Sequence, residues 1–483
     1  MERRARRIVD QAKRTPEVCT DGPFKGYARL DWIQSAAERN RGEVMRQLMH
    51  HINAHNLRRA FHSLEGSRAS GIDHVTKEVY QKHLDENLAA LEDEIQRGGW
   101  RPKPAREVLI PKPQGGMRPL AIGCLEDKIV QTLVARILES IYEANFHRHS
   151  YGFRRRKSPH QAIGRLYEVI HSRKKNCVVV EIDIEKFFNT VNHEWLMKTL
   201  EKRIGDPYFL RLIRRMLRNS ILQSDGTLAE NTTGTPQGSP VSPILANICL
   251  HELLDEWFQK NWSASGEFVR YADDAVFVFT DETTAHAFLE ALRARMTEAG
   301  LRLNEDKTRL VPFHAKNPQG IISFLGFDMY WGRKPGYGRT LKVKTTPKRL
   351  HRSIQAFYEW IKAMRNRLPL KTLWQIASTK LRGHFNYYGV MWNEAKLNHF
   401  HYACIGALFR WINRRSQKRS YGWENFKRRL FFQPLPHPPQ GNELINITSE
   451  HGTERKHKPK SRMPKLGTYG SVRSIGQQCP MFT

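Results

Sequence analysis

Apolar residues recur along this chain at two different spacings, and together these predict a mixed α and β protein. Repeats of three and four residues are typical of amphipathic helices. They occur over residues 43–64, 127–145 and 284–299, and again in a long stretch that starts at Pro347. Shorter runs of β-branched and aromatic residues predict strands. These runs lie at 108–110, 120–122, 177–183 and 321–327.

One strand pair carries unusual chemistry. Residues 268–279 read FVRYADDAVFVF, so two apolar runs flank Asp273 and Asp274, which predicts a hairpin with its tight turn at the Asp pair. Adjacent carboxylates between apolar strands repel each other and are partly desolvated, which disfavours ionising both. A divalent cation relieves that conflict, and oxygen ligands of this kind suit Mg²⁺. Taken alone, the stretch fits an Asp-rich surface hairpin equally well.

A third carboxylate follows another buried-type strand. Asp183 lies ninety residues before Asp273, near the end of a strand that begins around Val178. If sheet pairing brings it beside the hairpin, the three carboxylates form a site for two metal ions, one for the attacking hydroxyl and one for the departing oxygen. Glu181 shares a face with Asp183 on a two-residue period, but a salt-bridged or exposed strand residue is the favoured interpretation.

Composition points to a polyanionic partner. The 483 residues allow two or three domains, and 79 Lys and Arg against 48 Asp and Glu give a formal charge of +31. A protein this basic self-repels unless it binds a polyanion, so nucleic acid is the first inference and a membrane surface the second. Against a membrane, the chain contains no apolar run of about 18 residues, the length that a membrane-spanning helix needs. Six cysteines without a C-x-x-C pair disfavour a zinc module and suit a reducing cytoplasm.

Three motifs now carry a family resemblance. The tetrad YADD at 271–274, EIDIEKFF at 181–188 and GTPQGSP at 234–240 resemble the palm motifs of reverse transcriptases. Their order and spacing most resemble the reverse transcriptase/maturase proteins of bacterial group II introns and their intron-like relatives. The resemblance runs from about residue 42 to 422. Larger family members carry a C-terminal endonuclease with cysteine pairs, which we do not expect here.

The resemblance implies an α+β fold of right-hand polymerase type, with fingers, a palm built on an antiparallel sheet, and an α-helical thumb. It divides the chain into four parts. These are a basic arm and fingers extension (1–95), fingers and palm (96–340), a thumb or maturase domain (345–433) and a basic, flexible tail (434–483).

The resemblance also implies the site residues. Asp183, Asp273 and Asp274 would be catalytic and, with Ile184, would hold two Mg²⁺ ions, for which Mn²⁺ is a possible substitute. Five residues would contact the nucleotide: Lys112, Arg118, Phe188, Gln237 and Lys307. The three cations would neutralise the triphosphate, Gln237 would lie under the nucleotide and template base, and Phe188 would exclude the ribose 2′-hydroxyl. The alternatives are a solvated basic loop or turn for the cations, and a core position for either Phe187 or Phe188.

Five arginines are predicted to bind RNA: Arg154, Arg155, Arg349, Arg352 and Arg382. The first two lie in SYGFRRRK, where aromatic and basic residues interleave as in nucleic-acid-binding segments, although a plain surface charge run is the alternative. Arg382 lies in a segment that resembles the thumb motif of intron-encoded proteins.

The expected partners are an RNA template, a DNA primer, deoxynucleoside triphosphates and intron RNA, with no membrane. The function implied is an RNA-directed DNA polymerase with a maturase role. Two alternatives stay open: a splicing cofactor that does not need polymerisation, and a domesticated enzyme in defence or repair.

Overall fold

The computed structural model describes residues 30–66, 69–111, 116–172, 177–316, 320–334, 336, 338–415 and 422–447. The strands are β1 (Ala105–Pro111), β2 (Met117–Ile122), β3 (Cys177–Ile182), β4 (Ile221–Leu222), β5 (Leu228–Ala229), β6 (Gly266–Tyr271), β7 (Asp274–Phe279), β8 (Arg309–Phe313), β9 (Ile322–Phe324), β10 (Phe327–Lys334) and β11 (Gly338–Thr345).

The helices of the first half are α1 (Leu30–Arg39), α2 (Ala54–Ser63), α3 (Lys77–Tyr80), α4 (Leu84–Gln96), α5 (Leu125–Tyr142), α6 (Pro159–Ser172), α7 (Phe187–Thr190), α8 (His193–Glu201) and α9 (Pro207–Leu217). Those of the second half are α10 (Ser242–Leu250), α11 (Trp257–Asn261), α12 (Glu282–Glu298), α13 (Pro347–Met364), α14 (Leu370–Tyr388), α15 (Glu394–Ile412) and α16 (Trp423–Phe432). A π-helical turn, His251–Glu256, joins α10 to α11. In the described part of the chain, no helix is long and apolar enough to cross a membrane.

The central sheet has the strand order β6-β7-β3-β8, and all its neighbours are antiparallel. Every residue of β3 is buried because helices cover both faces. Alternate residues serve two cores: Val178 and Val180 pack with the helices of the N-terminal half, whereas Val179 packs with α6 and β10. This sheet positions the three predicted catalytic carboxylates.

A second sheet, in the order β2-β1-β4-β5, forms the predicted fingers hairpin. Its strands β1 and β2 pair from Arg106 opposite Ile122 to Pro111 opposite Met117, and β4 adds in parallel. A third sheet, β11-β10-β9, leads into the helices α13 to α15. These helices bury the predicted stripe, with Leu350, Phe357 and Ile361, in a separate apolar core.

The segment of residues 434–447, which we name the C-terminal strap, is packed rather than free. Leu435 and Leu444 enter the core of α13 to α16, while Ile445 and Ile447 enter the core shared by α6 and β10. The Ile445 nitrogen donates to the Gly389 carbonyl at 2.8 Å. The prediction of a flexible tail from residue 434 was therefore wrong for the strap, because its few apolar residues are spaced to reach two cores. Residues 448–483 and the basic arm at 1–29 lie outside the described residues.

Candidate active site

The register of the central sheet brings the predicted carboxylates together. Strand β3 pairs with β7 as far as Ile182 opposite Ala275, so the next residues along the two strands, Asp183 and Asp274, come opposite each other. Strand β6 ends at Tyr271, which pairs with Asp274. The tight turn is therefore Ala272-Asp273, one residue earlier than the predicted turn at the Asp pair. Ala272 has a φ of +59°, a conformation that disfavours residues with a side chain.

The three carboxylates influence one another electrostatically. Burial, followed by the negative charges of Asp273 and Asp183, raises the pKa of Asp274 to about 6. Burial and the charge of Asp183 likewise raise the pKa of Asp273. Such shifts mean that negative charge at this end of the sheet is incompletely compensated by the protein. Carboxylate oxygens under this repulsion are a donor set that fits a hard divalent cation.

Lys307 is in direct contact with one of these acids. Its Nζ donates to Asp183 Oδ2 at 2.9 Å, and its charge also lowers the pKa of Asp274. It was predicted to approach nucleotide phosphates, but in the structure it lies on a carboxylate. Within the described residues, no three His, Cys, Asp or Glu side chains converge closely enough to form a ready metal cage. The side chain of Ile184 is buried in the core, so this residue can offer only main-chain atoms.

A fully buried ion pair lies behind the Ala272-Asp273 turn, and the sequence analysis missed it. Arg270 Nε donates to Asp255 Oδ1 at 2.7 Å, and neither side chain is exposed. Arg270 Nη1 also donates to the Ala272 carbonyl at 3.0 Å and to Asn247 Oδ1 at 3.1 Å. Burial alone would raise the pKa of Asp255, but the guanidinium outweighs it and lowers the pKa to about 2. An arginine between Val269 and Tyr271, next to the buried part of the strand, was the available signal.

Gly152 supports the same turn from the other side. A Cβ atom on Gly152 would lie 2.2 Å from the Ala272 nitrogen, so only glycine permits this approach. The Gly152 carbonyl accepts a hydrogen bond from Asn247 Nδ2 at 2.7 Å. One step earlier, the Tyr151 nitrogen donates to the Arg270 carbonyl at 2.8 Å. The segment before the basic run therefore supports the Ala272-Asp273 turn.

The basic run itself is only partly at the surface. Arg154 is 5% exposed, and its guanidinium donates to Glu143 and to the carbonyls of His147 and Ser150. The prediction that Arg154 binds RNA was therefore wrong, because the side chain is committed to holding its own loop. Arg155 is 38% exposed and pairs with Glu139 at 3.1 Å.

Two of the predicted nucleotide contacts, Arg118 and Gln237, belong to one hydrogen-bonded chain. Arg118 Nε donates to Gln237 Oε1 at 2.9 Å, and Gln237 Nε2 donates to Asn189 Oδ1 at 2.8 Å. Asn189 was not predicted, although it directly follows Phe188. A cavity of about 230 Å³ opens here, lined in part by Phe188, Asn189, Gln237 and Leu120. Phe187 is buried in the core and Phe188 is half-buried at the cavity, so the expectation that one of the pair is core is met. Lys112 lies outside the described residues.

The predicted thumb arginines differ in their distance from the acids. Arg349 lies close enough to lower the pKa of Asp274. Arg349 and Arg352 both act on the phenol of Tyr388, whose pKa burial raises and they lower. Arg382 is exposed on α14. The structure thus places Arg349 at the edge of the candidate site and Arg382 elsewhere on the thumb.

Comparison with known proteins agrees with this geometry. Residues 110–329 match the family described as reverse transcriptase (RNA-dependent DNA polymerase). Protein YkfC of Escherichia coli K12 is 32% identical over 327 residues, which are 61% of this chain and 84% of YkfC. The putative COX1/OXI3 intron 1 protein of Saccharomyces cerevisiae is 39% identical over 172 residues, 36% of this chain and 20% of that protein.

The group II intron-encoded protein LtrA of Lactococcus lactis subsp. cremoris is 30% identical over 228 residues, which are 47% of this chain and 37% of LtrA. The chain thus spans most of YkfC but much less than two thirds of the two intron proteins. Members of the matched family act on nucleic acid and use divalent metal ions. This chain belongs to the reverse transcriptase family, among the relatives of the group II intron-encoded proteins.

Proposed function

We propose that Asp183, Asp273 and Asp274 carry the RNA-directed DNA polymerisation that is the reaction of this family. The primer 3′-hydroxyl attacks the α-phosphate of a deoxynucleotide, and pyrophosphate leaves. The observation that supports this assignment is the β3–β7 register, which sets Asp183 opposite Asp274 in a place where the carboxylate pKa values are raised. Groups that repel one another in this way are poised to accept cationic charge.

Two Mg²⁺ ions, or Mn²⁺ in their place, would be held by these carboxylates with main-chain help from Ile184. When bound, the ions would act as Lewis acids, and their positive charge would stabilise the attacking and leaving oxygens. Lys307 must then give up its hydrogen bond to Asp183, which frees its ammonium group for the triphosphate of the incoming nucleotide. Its 58% exposed side chain has room for that movement.

The nucleotide is proposed to lie against the chain of Arg118, Gln237 and Asn189. Arg118, together with Lys112, neutralises the triphosphate, whose charge must be compensated before the chemical step. The Gln237 amide accepts a hydrogen bond from Arg118 at its oxygen and donates one to Asn189 from its nitrogen. Because both ends are held, the amide offers a fixed surface beneath the base pair. Phe188 stands at the cavity, where its ring would exclude a ribose 2′-hydroxyl.

The test is extension of a DNA primer on an RNA template by Asp273→Asn. We expect extension to be lost and RNA binding to stay nearly unchanged, because the carboxylate acts on the reacting atoms. The matched control is Asp306→Asn, which removes an exposed carboxylate next to Lys307 and should extend normally. Full extension by the purified Asp273→Asn protein would refute the assignment.

A second role, as a splicing cofactor in the cytoplasm, is favoured by the intron-encoded relatives. Intron RNA is the proposed partner, contacted by the thumb residues Arg349, Arg352 and Arg382. Splicing assistance should survive Asp273→Asn and fail when the three arginines become glutamine. If the flanking DNA encodes no catalytic intron RNA, the domesticated enzyme becomes the better explanation.

A further inference from the structure

Helix α9 has a strongly basic outer face that the polymerase reaction does not use. Its inner face is apolar and packs in the core with α8 beside it; the buried residues are Phe209, Leu212, Ile213, Met216 and Leu217. The outer face carries Tyr208, Arg211, Arg214 and Arg215, and Arg218 follows directly. We name these five residues the α9 stripe. Positions 208, 211, 215 and 218 fall on one side of the helix over about 15 Å.

The charge of the α9 stripe is poorly compensated. Arg214 and Arg218 share a single carboxylate, Glu194, at 3.8 and 3.6 Å. Arg211 and Arg215 form no ion pair with an acidic residue of the described ranges. Arg101 adds a further guanidinium: burial and then the charges of Arg101 and Arg211 lower the pKa of Arg215. Like charges held this close without counter-charges are costly unless an anion joins them.

An exposed aromatic ring accompanies these cations. Tyr208 is 62% exposed, and the Arg211 guanidinium lies 5.4 Å from the centroid of its ring. A ring and a guanidinium plane side by side at the surface suit stacking with an unpaired base while other guanidinia bind phosphates. An acidic protein partner would use the charge but would not need the ring.

The helix that carries the stripe is anchored to the N-terminal part of the chain. Its capping residue Asp206 accepts a hydrogen bond from the Leu48 nitrogen at 2.6 Å, and Arg215 donates to the Trp100 carbonyl at 3.0 Å.

We propose that the α9 stripe is a second RNA-binding surface, none of whose residues lines the cavity beside Phe188 and Gln237, and that it binds the phosphates of a folded RNA and stacks one unpaired base on Tyr208. It would hold RNA at a distance from the reacting primer end. The proposal extends the function above but does not depend on polymerisation, because binding alone reports it.

The test compares the Arg211→Gln/Arg215→Gln variant with the wild-type protein. The measured quantity is the affinity for a fluorescein-labelled RNA hairpin without a primer, at several salt concentrations. Each lost phosphate contact removes about 0.7 to 0.9 from the slope of log affinity against log salt, so the double variant should lose about 1.4 to 1.8. Lysines at both positions should restore most of the slope. Tyr208→Ala should weaken binding at every salt concentration and leave the slope unchanged.

The matched control is Arg293→Gln/Arg295→Gln on α12. Those arginines are already paired with Glu290, Glu305 and Glu298, so their loss removes the same charge from a compensated surface. Arg211 is exposed and the other three arginines are partly exposed, and a glutamine at 215 keeps a side-chain donor in place of the Arg215 bond to Trp100, so melting temperatures should stay within a few degrees.

Four results would overturn the proposal. Hairpin binding by the α9 double variant could equal that of wild type, or the α12 control could lose as much slope. The α9 changes could abolish binding to phosphatidylserine vesicles while hairpin binding stands, which would assign the stripe to a membrane. They could instead change only the sedimentation coefficient, which would assign it to a protein interface. Primer extension on a short template should be normal in the α9 variant, whereas failure of the polymerase assignment would appear only in Asp273→Asn.

Discussion

The buried pair of Arg270 and Asp255 should set the rate of polymerisation without touching the substrate. Replacing Arg270 alone leaves the Asp255 carboxylate buried and unpaired, a change that costs about 3–5 kcal/mol and endangers the fold. Replacing both partners, as Arg270→Met/Asp255→Leu, removes both charges together and is often neutral for stability. The double variant therefore isolates what the guanidinium does for the Ala272-Asp273 turn.

The magnitude follows from the hydrogen bonds that are lost. The Ala272 carbonyl and Asn247 Oδ1 each lose a charged donor, at 3.0 and 3.1 Å, which costs about 1–3 kcal/mol in total if the turn partly relaxes. Ala272 already holds a φ of +59°, so the turn has a reason to relax once the donor is gone. If the whole of that energy raises the barrier to the chemical step, extension should slow roughly 5-fold to 150-fold.

The assay is single-nucleotide extension under saturating template, with the melting temperature and RNA affinity measured on the same preparations. We expect a lower maximal rate, a higher Mg²⁺ requirement, and unchanged RNA binding. The control is Arg165→Met/Glu267→Leu, which removes an ion pair at the opposite end of β6, far from the turn. A folded Arg270→Met/Asp255→Leu protein that extends primers at the wild-type rate would refute the reasoning.

Three further predictions concern other positions. Burial raises the pKa of Asp127 to about 7, so stability should fall by up to about 4 kcal/mol as pH rises from about 4 to 7, because only the folded state keeps the proton. In Asp127→Asn the melting temperature should depend much less on pH over that window. A variant whose melting temperature changes with pH as in wild type would contradict this. Phe188→Ala should raise ribonucleotide over deoxynucleotide incorporation roughly 10-fold, which competition assays measure; an unaltered ratio would remove the steric role. Gly152→Ala should displace Ala272 and abolish extension with RNA binding intact, so an active variant would contradict the close contact.

Three strands of the central sheet, β3, β6 and β7, could be predicted from sequence because they are short, rich in apolar residues and largely buried. The fourth strand, β8, was not predicted, because most of its residues are exposed or only partly buried and its sequence carries little strand signal. The position of the turn could not, because the hydrophobic pattern is the same for a turn at Ala272-Asp273 and one at the Asp pair. The choice depends on the register with Tyr271 and with β3. In the structure that register leaves Ala272, and not an aspartate, with the positive φ.

The residues behind the turn were out of reach for a different reason. Gly152 contacts Ala272, and Asp255 pairs with Arg270, and in both cases the partners are distant in sequence. The local sequence pattern around one partner does not predict where the other lies. Arg154 shows the converse error. Its aromatic and basic neighbours are typical of a nucleic-acid surface, yet Glu143 on the preceding helix end pairs with it and the loop folds over it. The net charge of the chain therefore predicted a nucleic-acid partner, but the local charge pattern did not identify which arginines are available to bind it.

The C-terminal strap limits how the thumb can move. Its apolar residues are shared between the thumb core and the palm core, and Gly164 of α6 approaches the Ile447 carbonyl so closely that an added Cβ would lie at 3.2 Å. Burying one such aliphatic side chain is worth about 1.5–3 kcal/mol, so peeling the strap away would cost several times that amount. Any opening or closing of the thumb around a duplex must then be a small rotation that keeps the strap packed in both cores. Cutting the chain at residue 433 would remove this connection and should let the thumb rotate more freely relative to the palm.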